Sequence, residues 1–456
     1  MNKQTIIIGL GQTGLSCVQF LTQKNTPICV VDSRKNPPLR TEFEKNFPDI
    51  DLYCGVLPDL EHMQDYELVL SPGIAQSHPF IQPLIQNAAR IMGDIDLFAQ
   101  HNQLPVIAIT GSNGKSTVTT MVGEMAKQCG YHPAVIGNIG VPVLSLFTDT
   151  TKTEKYDLVV MELSSFQLEL THDLKPHVAT VLNISPDHLD RHASYKDYYQ
   201  AKHRIYNNCQ IAVINKNDAL AFPRDIIASK HKMFSVNLPG EGEFGILIEA
   251  GCPYLAHGDQ KLMPTEDLNL VGLHNTENAL AALALGDAFG FEMKAMLQAI
   301  KSYKGLPHRC QVISNTKNIT WVNDSKGTNV GATVSALEGL RHTLEKSGKM
   351  VLILGGQAKK QEFGELTFAV QGMRCEVIVM GECADELFEL FNLHSCVTKC
   401  GDINEAVQLA NQTAEPGDIV LFSPACASFD QFKNFEHRGD SFIAAVKKLG
   451  DASGYA

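Results

Sequence analysis

"AITGSNGKST", residues 108–117, follows an apolar run and opens a helical pattern. A phosphate loop ordinarily reads G-x-x-x-x-G-K-[ST]. Gly114, Lys115 and Ser116 fit, but Ile109 stands where the outer glycine belongs and the earlier glycine is Gly111. The physical requirements survive this shortening. Glycines let the backbone wrap an oxyanion, and amides at a helix N-terminus face it. A lysine neutralises the outer phosphates, and a hydroxyl, from Ser116 or Thr117, serves Mg²⁺. Gly111, Ser112, Asn113, Gly114, Lys115, Ser116 and Thr117 are therefore the candidate triphosphate cradle. The alternative is a tight glycine turn with a solvated lysine; strand, loop and helix in this order weigh against it.

Working outward, the same alternation recurs on both sides. "TIIIGLGQTGLSCVQFL" (5–21) gives a β-branched run, the loop Gly9-x-Gly11-x-x-Gly14 and a helix. "PICVVD" and "ELVLSPG" supply two more strands, ending at Asp32 and near Ser71. Around the phosphate loop, "LPVIAIT", "YDLVVMELSS" and "PHVATVLNIS" are buried strands, and a helix is expected from about Ser116 to Cys129. Residues 211–260 read as a smaller β-rich patch, before the helix of "NTENALAALALGDAFG". The last segment offers "ITWVNDS", "KMVLILGG", "CEVIVMG" and "GDIVLFSPA" as four strands between helices. The predicted fold class is α/β with three domains. These are a Rossmann-like N-terminal domain (1–93), a central P-loop-type parallel sheet with a small β patch (94–304) and a Rossmann-like C-terminal domain (305–456). Ligands of open parallel sheets bind beyond the carboxyl ends of strands. Asp32, Ser71, Gly111, Glu162, Asn183, Asp324, Gly355 and Ser423 all fall at such ends.

Composition narrows the function. The chain has 456 residues, 44% hydrophobic and 19% charged, with a net charge of −12. No basic run supports nucleic-acid binding. Its 12 cysteines include no C-x-x-C, so scattered buried thiols in a reducing cytosol are expected. The N-terminus lacks a signal h-region, and no apolar run of about 18 residues suggests a membrane span. A cytoplasmic location follows as an expectation.

Two motifs remain open on the residues alone. Gly9, Gly11 and Gly14, with Asp32 18 residues further on, match a dinucleotide fingerprint. An NAD-type oxidoreductase is one reading; a nucleotide-diphosphate sugar gripped by the same amides is the other. His188 and His192 are spaced i, i+4, but Leu-Asp-Arg between them lacks the glutamate of a zinc hydrolase. Glu162, at a strand end, suits a hard cation such as Mg²⁺. His192 reads as a surface or core histidine, and Lys202 as a solvated helix lysine.

The motifs "GSNGKST", "MELSSFQLE", "NISPDHLDRH", "HNTENALAAL", "GLPHR", "NDSKGTN" and "SPACASFDQFKNFEHRG" resemble those of the Mur ligases of bacterial peptidoglycan synthesis. The resemblance covers nearly the whole chain. "GLGQTG", "LSPGI" and the long C-terminal motif favour the branch that adds D-glutamate. It implies an ATP-dependent amide ligase acting on UDP-N-acetylmuramoyl-L-alanine and D-glutamate through an acyl phosphate, and a monomer is expected. It implies two Mg²⁺ ions, one with Ser116 or Thr117 and Glu162, the other with His188 and a carbamylated Lys202. Lys115, His188, Lys202 and Glu162 would be catalytic. Asn275, Asn278, Arg309 and Asp324 would join the loop around ATP. Gln12, Thr13, Asp32, Ser33, Arg34, Ser71, Pro72, Gly73, Asn138 and His188 would hold the UDP-sugar. Lys326, Thr328, Lys359, Ser428, Phe429 and Phe435 would hold D-glutamate. Where the family often has Asp, "GGQAKKQ" carries Gln357, which leaves Lys359 and Lys360 as alternatives for one contact.

Overall fold

The computed structural model describes residues 4–59, 66–148, 156–189, 191–222, 230–270, 272–316, 318–341, 343–344, 348–358, 361–393 and 395–452. They build three mainly parallel sheets. The first contains β1 (Thr5–Ile8), β2 (Ile28–Asp32), β3 (Leu52–Cys54), β4 (Glu67–Leu70) and β5 (Arg90–Met92), in the order β3-β2-β1-β4-β5. Helices α1 (Gln12–Gln23), α2 (Arg40–Asn46), α3 (Gln82–Asn87) and α4 (Asp94–His101) accompany it. Every neighbouring pair is parallel, so the connections must cross over; among the described residues α1, α2 and α3 lie in the β1–β2, β2–β3 and β4–β5 connections.

The central sheet begins with β6 (Val106–Thr110), β7 (Pro133–Gly137), β8 (Leu158–Glu162) and β9 (Val178–Val181). It continues through β10 (Ile211–Asn215), β11 (Lys230–Phe234), β12 (Phe244–Glu249), β13 (Cys252–His257) and β14 (Gln260–Pro264). The order is β14-β13-β12-β11-β10-β9-β6-β8-β7. The expected β patch is thus an extension of this sheet, antiparallel only at β12–β14. Helices α5 (Lys115–Gln128), α6 (Ser145–Thr148), α7 (Ser165–Glu169), α8 (Tyr195–His203), α9 (Leu273–Phe289) and α10 (Met293–Ser302) flank it. Strand β6 is buried throughout because α5, α9 and α10 cover one face and the α1–α4–α6 side covers the other. Phe147 of α6 packs on Phe20 of α1 and Phe98 of α4, with ring centroids 5.5 and 5.6 Å away, joining the first two sheets in one apolar cluster.

The third sheet, β15-β16-β20-β17-β18-β19, comprises β15 (Gln311–Thr316), β16 (Ile319–Asn323), β17 (Met350–Gly355), β18 (Cys375–Met380), β19 (Cys396–Lys399) and β20 (Ile419–Phe422). Helices α11 (Val330–Arg341), α12 (Gly364–Ala369), α13 (Ala384–Phe391), α14 (Ile403–Thr413) and α15 (Phe435–Ala452) cover its two faces. The sequence reading found three strands in the first segment and four in the last. It missed β3, β5, β15 and β19. All four are edge strands; β3 and β5 have three residues each, and β19 is largely exposed. Edge strands need no continuous apolar run, so the period-based signal fades there.

Candidate active site

The loop between β6 and α5 is strapped to the segment after β9. Asn183 O accepts from the Ser112 amide at 2.8 Å, and Asn183 Oδ1 accepts from the Asn113 amide at 2.8 Å. Ser112 Oγ donates to Ser185 O and meets Tyr198 OH at 2.7 Å. Gly114 has φ +80°, and a Cβ there would lie 2.4 Å from Asn278 Oδ1. Only glycine fits both the left-handed backbone and that approach.

Two lysines converge on this loop. Lys115 Nζ donates to the carbonyls of Gly111 and Ser112, both at 2.8 Å. Lys202 Nζ donates to the same Gly111 carbonyl, also at 2.8 Å. Lys202 is 2% exposed, so the solvated-lysine reading is wrong. It lies on the inward face of α8, one turn after Tyr198, whose ring stands 4.7 Å from its nitrogen. Burial, and next the Lys115 charge, push its pKa well below the ordinary lysine value. Glu162 closes β8 at 1% exposure. Its Oε1 accepts from Asn138 Nδ2 at 2.7 Å, while its buried Oε2 accepts no hydrogen bond from any described residue. An orphan carboxylate oxygen with the buried hydroxyls of Ser116 and Thr117 is a donor set that fits a hard divalent cation.

A cleft of about 610 Å³ opens beside the loop. It gathers Asn113, Gly114 and Thr117 with Asn275 and Asn278 of α9, and with Arg309, Asp324 and Lys326 from the third segment. Arg309 Nη2 donates to Ser116 Oγ at 3.1 Å, so the third segment already touches the phosphate loop. Asp324 accepts from Ser423 Oγ (2.7 Å) and the Cys310 amide (3.1 Å); burial nevertheless raises its pKa to about 6. Lys326 lies 3.8 Å from the Phe435 ring, and burial, then Arg309, lower its pKa to about 8.

A second cleft, of about 730 Å³, lies at the carboxyl ends of the first sheet. Gln12, Thr13, Asp32, Ser33, Arg34, Ser71, Pro72, Gly73 and Asn138 all line it. Gly14 lets α1 close on the loop: a Cβ there would sit 1.8 Å from Gly9 O. Asp32 differs from a dinucleotide aspartate, because its oxygens are already occupied. Oδ2 accepts from the Leu10 amide (2.8 Å) and Arg34 Nη2 (2.7 Å); Oδ1 accepts from Arg34 N and Nε (both 2.9 Å). Burial alone would raise its pKa, but these bonds hold it below the ordinary value. His188 does not join this cleft. It lines a neighbouring one, opposite Val330, Gln361 and Phe368, with left-handed backbone (φ +54°) and its ring edge-on to Phe166 at 4.9 Å.

The amino-acid candidates are brought together in part. Lys326 packs on Phe435, and Ser325 Oγ donates to Phe435 O at 2.8 Å. Thr328 follows in the same turn, its amide bonded to Lys326 O. Ser428 is buried, whereas Phe429 is 67% exposed. Lys359 and Lys360 lie outside the described residues.

Comparison with known proteins assigns this arrangement. Residues 3–93 match the Mur ligase MurD-like N-terminal domain, 109–286 the Mur ligase middle domain, and 308–426 the Mur ligase glutamate ligase domain. A UDP-N-acetylmuramoylalanine–D-glutamate ligase from Legionella pneumophila (strain Paris) is 44% identical over 446 residues, covering 97% of this chain and 99% of the relative. The protein of the same name from Hahella chejuensis is 45% identical over 448 residues, covering 98% and 99%. The chain belongs to the Mur ligases.

The Mur ligase fold is also seen in solved structures. UDP-N-acetylmuramate-alanine ligase MurC from Thermotoga maritima aligns with a TM-score of 0.60 at 18% identity, over 98% of this chain and 99% of that one. MurF from Acinetobacter baumannii gives 0.58 at 20%, over 86% and 93%. The oxidoreductase reading of the first glycine loop finds no support in these matches.

Three Mur ligase residues escaped the sequence reading. Tyr198 holds Ser112 and faces Lys202; its i, i+4 spacing from Lys202 on α8 was the available signal. Asn329 donates toward Asn113 Oδ1 (3.4 Å) and Asp187 Oδ2 (3.2 Å), bridging to the third segment. Arg438, inside "FEHRG", is almost fully buried. It donates to Cys426 O (3.0 Å), Ala427 O (3.2 Å), Ser325 O (2.8 Å) and Ser325 Oγ (3.1 Å). It thereby ties the "NDSKGTN" turn to the "SPACASFD" turn. His192, read as surface or core, is core, stacked on Phe166 and bonded to Ser165 and Glu169.

Proposed function

We propose that this Mur ligase adds D-glutamate to UDP-N-acetylmuramoyl-L-alanine at the expense of ATP, through an acyl phosphate. One observation carries the proposal: Asn138, at the end of the sugar-nucleotide cleft, hydrogen-bonds Glu162 beside the phosphate loop. A substrate extended along the first cleft therefore delivers its terminal carboxylate to the γ-phosphate of ATP in the other. The three units 1–93, 94–304 and 305–456 hold the UDP-sugar, ATP and D-glutamate respectively.

In this reading the α1 amides, with Gln12 and Thr13, take the diphosphate. Asp32 fixes Arg34 and the glycine loop and does not itself accept from the ribose. A carboxylate approaching a triphosphate meets like charge, and Lys115, Arg309 and Lys326 offset that repulsion. Asn275, Asn278 and Asp324 hold the nucleoside side of ATP. Bound Mg²⁺, held by Glu162, Ser116 or Thr117 and, for a second ion, His188 and Lys202, supplies Lewis-acid stabilisation of the transferring phosphoryl group. The carboxylate oxygen attacks phosphorus and ADP leaves. The uncharged amine of D-glutamate, held by Lys326, Thr328, Ser428, Phe429, Phe435 and Lys359 or Lys360, then attacks the acyl carbon. Phosphate departs, and the amine proton goes to solvent or phosphate.

Lys202 enters as a carbamate. Its depressed basicity favours the neutral amine, which attacks CO₂ and loses a proton. The resulting anion suits a position beside Lys115 far better than a second ammonium. The enzyme acts as a cytoplasmic monomer on small molecules; among the described residues no helix is long and apolar enough to cross a membrane. Phosphate release in the presence of ATP and Mg²⁺ tests the function. Release that requires both UDP-N-acetylmuramoyl-L-alanine and D-glutamate, one phosphate per amide, supports it. Release indifferent to either substrate contradicts it.

A further inference from the structure

Cys383 and Cys426 are 43 residues apart in sequence, yet their sulfurs lie 3.1 Å apart. Both are buried. Cys383 stands just before α13, and its amide donates to Gly356 O at 3.0 Å. Cys426 lies in the turn after β20, where Arg438 Nη1 holds its carbonyl. The next residue, Ala427, pairs with Gln357 in both directions, at 2.9 and 3.0 Å. The two sulfurs therefore sit beneath the junction of two turns. One carries Ser428 and Phe429; the other leads to Lys359 and Lys360.

We propose that Cys383 and Cys426 are a redox-modification site that takes a hydroperoxide as co-substrate and closes to a reversible disulfide, which resets the turn carrying Ser428 and Phe429. A disulfide holds its sulfurs about 2.05 Å apart, so closure needs a movement of roughly 1 Å. The pair is also chemically unequal. With Cys426 as the donor, the hydrogen bond between the sulfurs lowers the Cys383 pKa, opposing its burial, and Cys383 is taken as the attacking sulfur. The Cys383 thiolate attacks a peroxide oxygen and the O–O bond breaks; the leaving alkoxide or hydroxide takes up the proton the Cys383 thiol has shed and departs as alcohol or water, leaving a sulfenic acid. The Cys426 sulfur then attacks that sulfur. Its proton joins the departing hydroxide as water. Two thiols lose two electrons and the hydroperoxide gains them. In a reducing compartment such a bond is transient, as expected of a sensor rather than a structural staple. The effect on glutamate handling rests on the ligase reading above; the bond itself does not.

The test uses the full-length enzyme. It is treated with graded hydrogen peroxide, quenched with catalase, alkylated under denaturing conditions and mapped by peptide mass spectrometry, with steady-state kinetics in parallel. The expected result is a Cys383–Cys426 cross-linked peptide, two hydrogens lighter than the reduced pair. The KM for D-glutamate should rise severalfold while that for ATP is unchanged, and dithiothreitol should reverse both. Cys383→Ser, or Cys383→Ala if the serine variant folds poorly, should show neither change. Recovery of Cys426 as an alkylated or sulfinic species without the cross-link overturns the proposal. So does a cross-link that leaves the glutamate KM unmoved, or an equal loss of glutamate affinity in the Cys383 variant. Untreated enzyme in the same assay keeps the two readings apart: no glutamate-dependent phosphate release before oxidation counts against the ligase, while the cross-link is scored independently.

Discussion

Lys115 and Lys202 donate to one and the same acceptor, the Gly111 carbonyl, each at 2.8 Å. Two ammonium groups sharing one carbonyl repel, and the fully buried member yields its proton first. On the proposed reading, the phosphate-loop lysine stays the cation, and burial, with the Lys115 charge, lowers the Lys202 pKa toward the neutral amine. Enzyme equilibrated with carbon-13 bicarbonate should therefore show a carbamate resonance, absent from Lys202→Ala, and that variant should lose nearly all turnover. Wild-type enzyme that is active and shows only a free amine would contradict the assignment.

Gly114 makes a sharper backbone prediction. Gly114→Ala must adopt φ +80° and displace Asn278 Oδ1 from 2.4 Å. A strained left-handed residue costs about 1–3 kcal/mol, before any loss from moving Asn278. The expected outcome is a lower Tm with weakened ATP binding in calorimetry, and unchanged affinity for the UDP-sugar, whose cleft is separate.

Asp94 offers a pH test away from the chemistry. It is buried at the start of α4, and burial raises its pKa from 3.8 to about 6, with its own and the Ile95 amides opposing and Asp96 adding. Between those values the native state holds a proton that the unfolded chain has released. The contribution to stability is full below pH 3.8 and is lost as pH rises through about 6. At pH 7 the ionised group costs roughly 3 kcal/mol. Asp94→Asn should flatten this part of the pH–stability curve and raise the Tm at pH 7. Denaturant melts across the window will show an unaltered slope if the group is not responsible.

Arg438 donates four hydrogen bonds to two turns. Arg438→Met removes all four bonds at a buried position, each worth about 1 kcal/mol, although Ala427 O keeps its bond from the Gln357 amide. The variant should melt earlier and show a raised KM for D-glutamate with a smaller effect on ATP. A stable variant with native glutamate kinetics would remove Arg438 from the account.

Much of this was legible because the informative residues lie in loops following buried strands. β6 is apolar up to Thr110 and buried throughout, so Gly111–Thr117 stands out after it; β2 points directly at Asp32 and Arg34. Lys202 was misread because a lysine on a polar-looking helix carries no mark of the carbonyl it will meet across 91 residues. Arg438 lies within a recognisable motif, but its partners, three main-chain oxygens and Ser325 Oγ, are brought close only by folding. His188 was grouped with the sugar-nucleotide residues. Its left-handed backbone turns it into the adjacent cleft, and no local pattern announces that turn. The edge strands were lost for the opposite reason: β3, β5 and β19 have only three or four residues, and the longer β15 presents no continuous apolar run.

The central claim is that the substrate carboxylate, led past Asn138 and Glu162 to the loop of Lys115, takes the γ-phosphoryl group of ATP. Its most direct test labels the alanine carboxylate of UDP-N-acetylmuramoyl-L-alanine with heavy oxygen and follows the label through one turnover. The account predicts that one labelled oxygen appears in the released phosphate for each amide formed. Phosphate carrying no label, with the oxygen lost from the carboxylate recovered in water or in another leaving group, would contradict it.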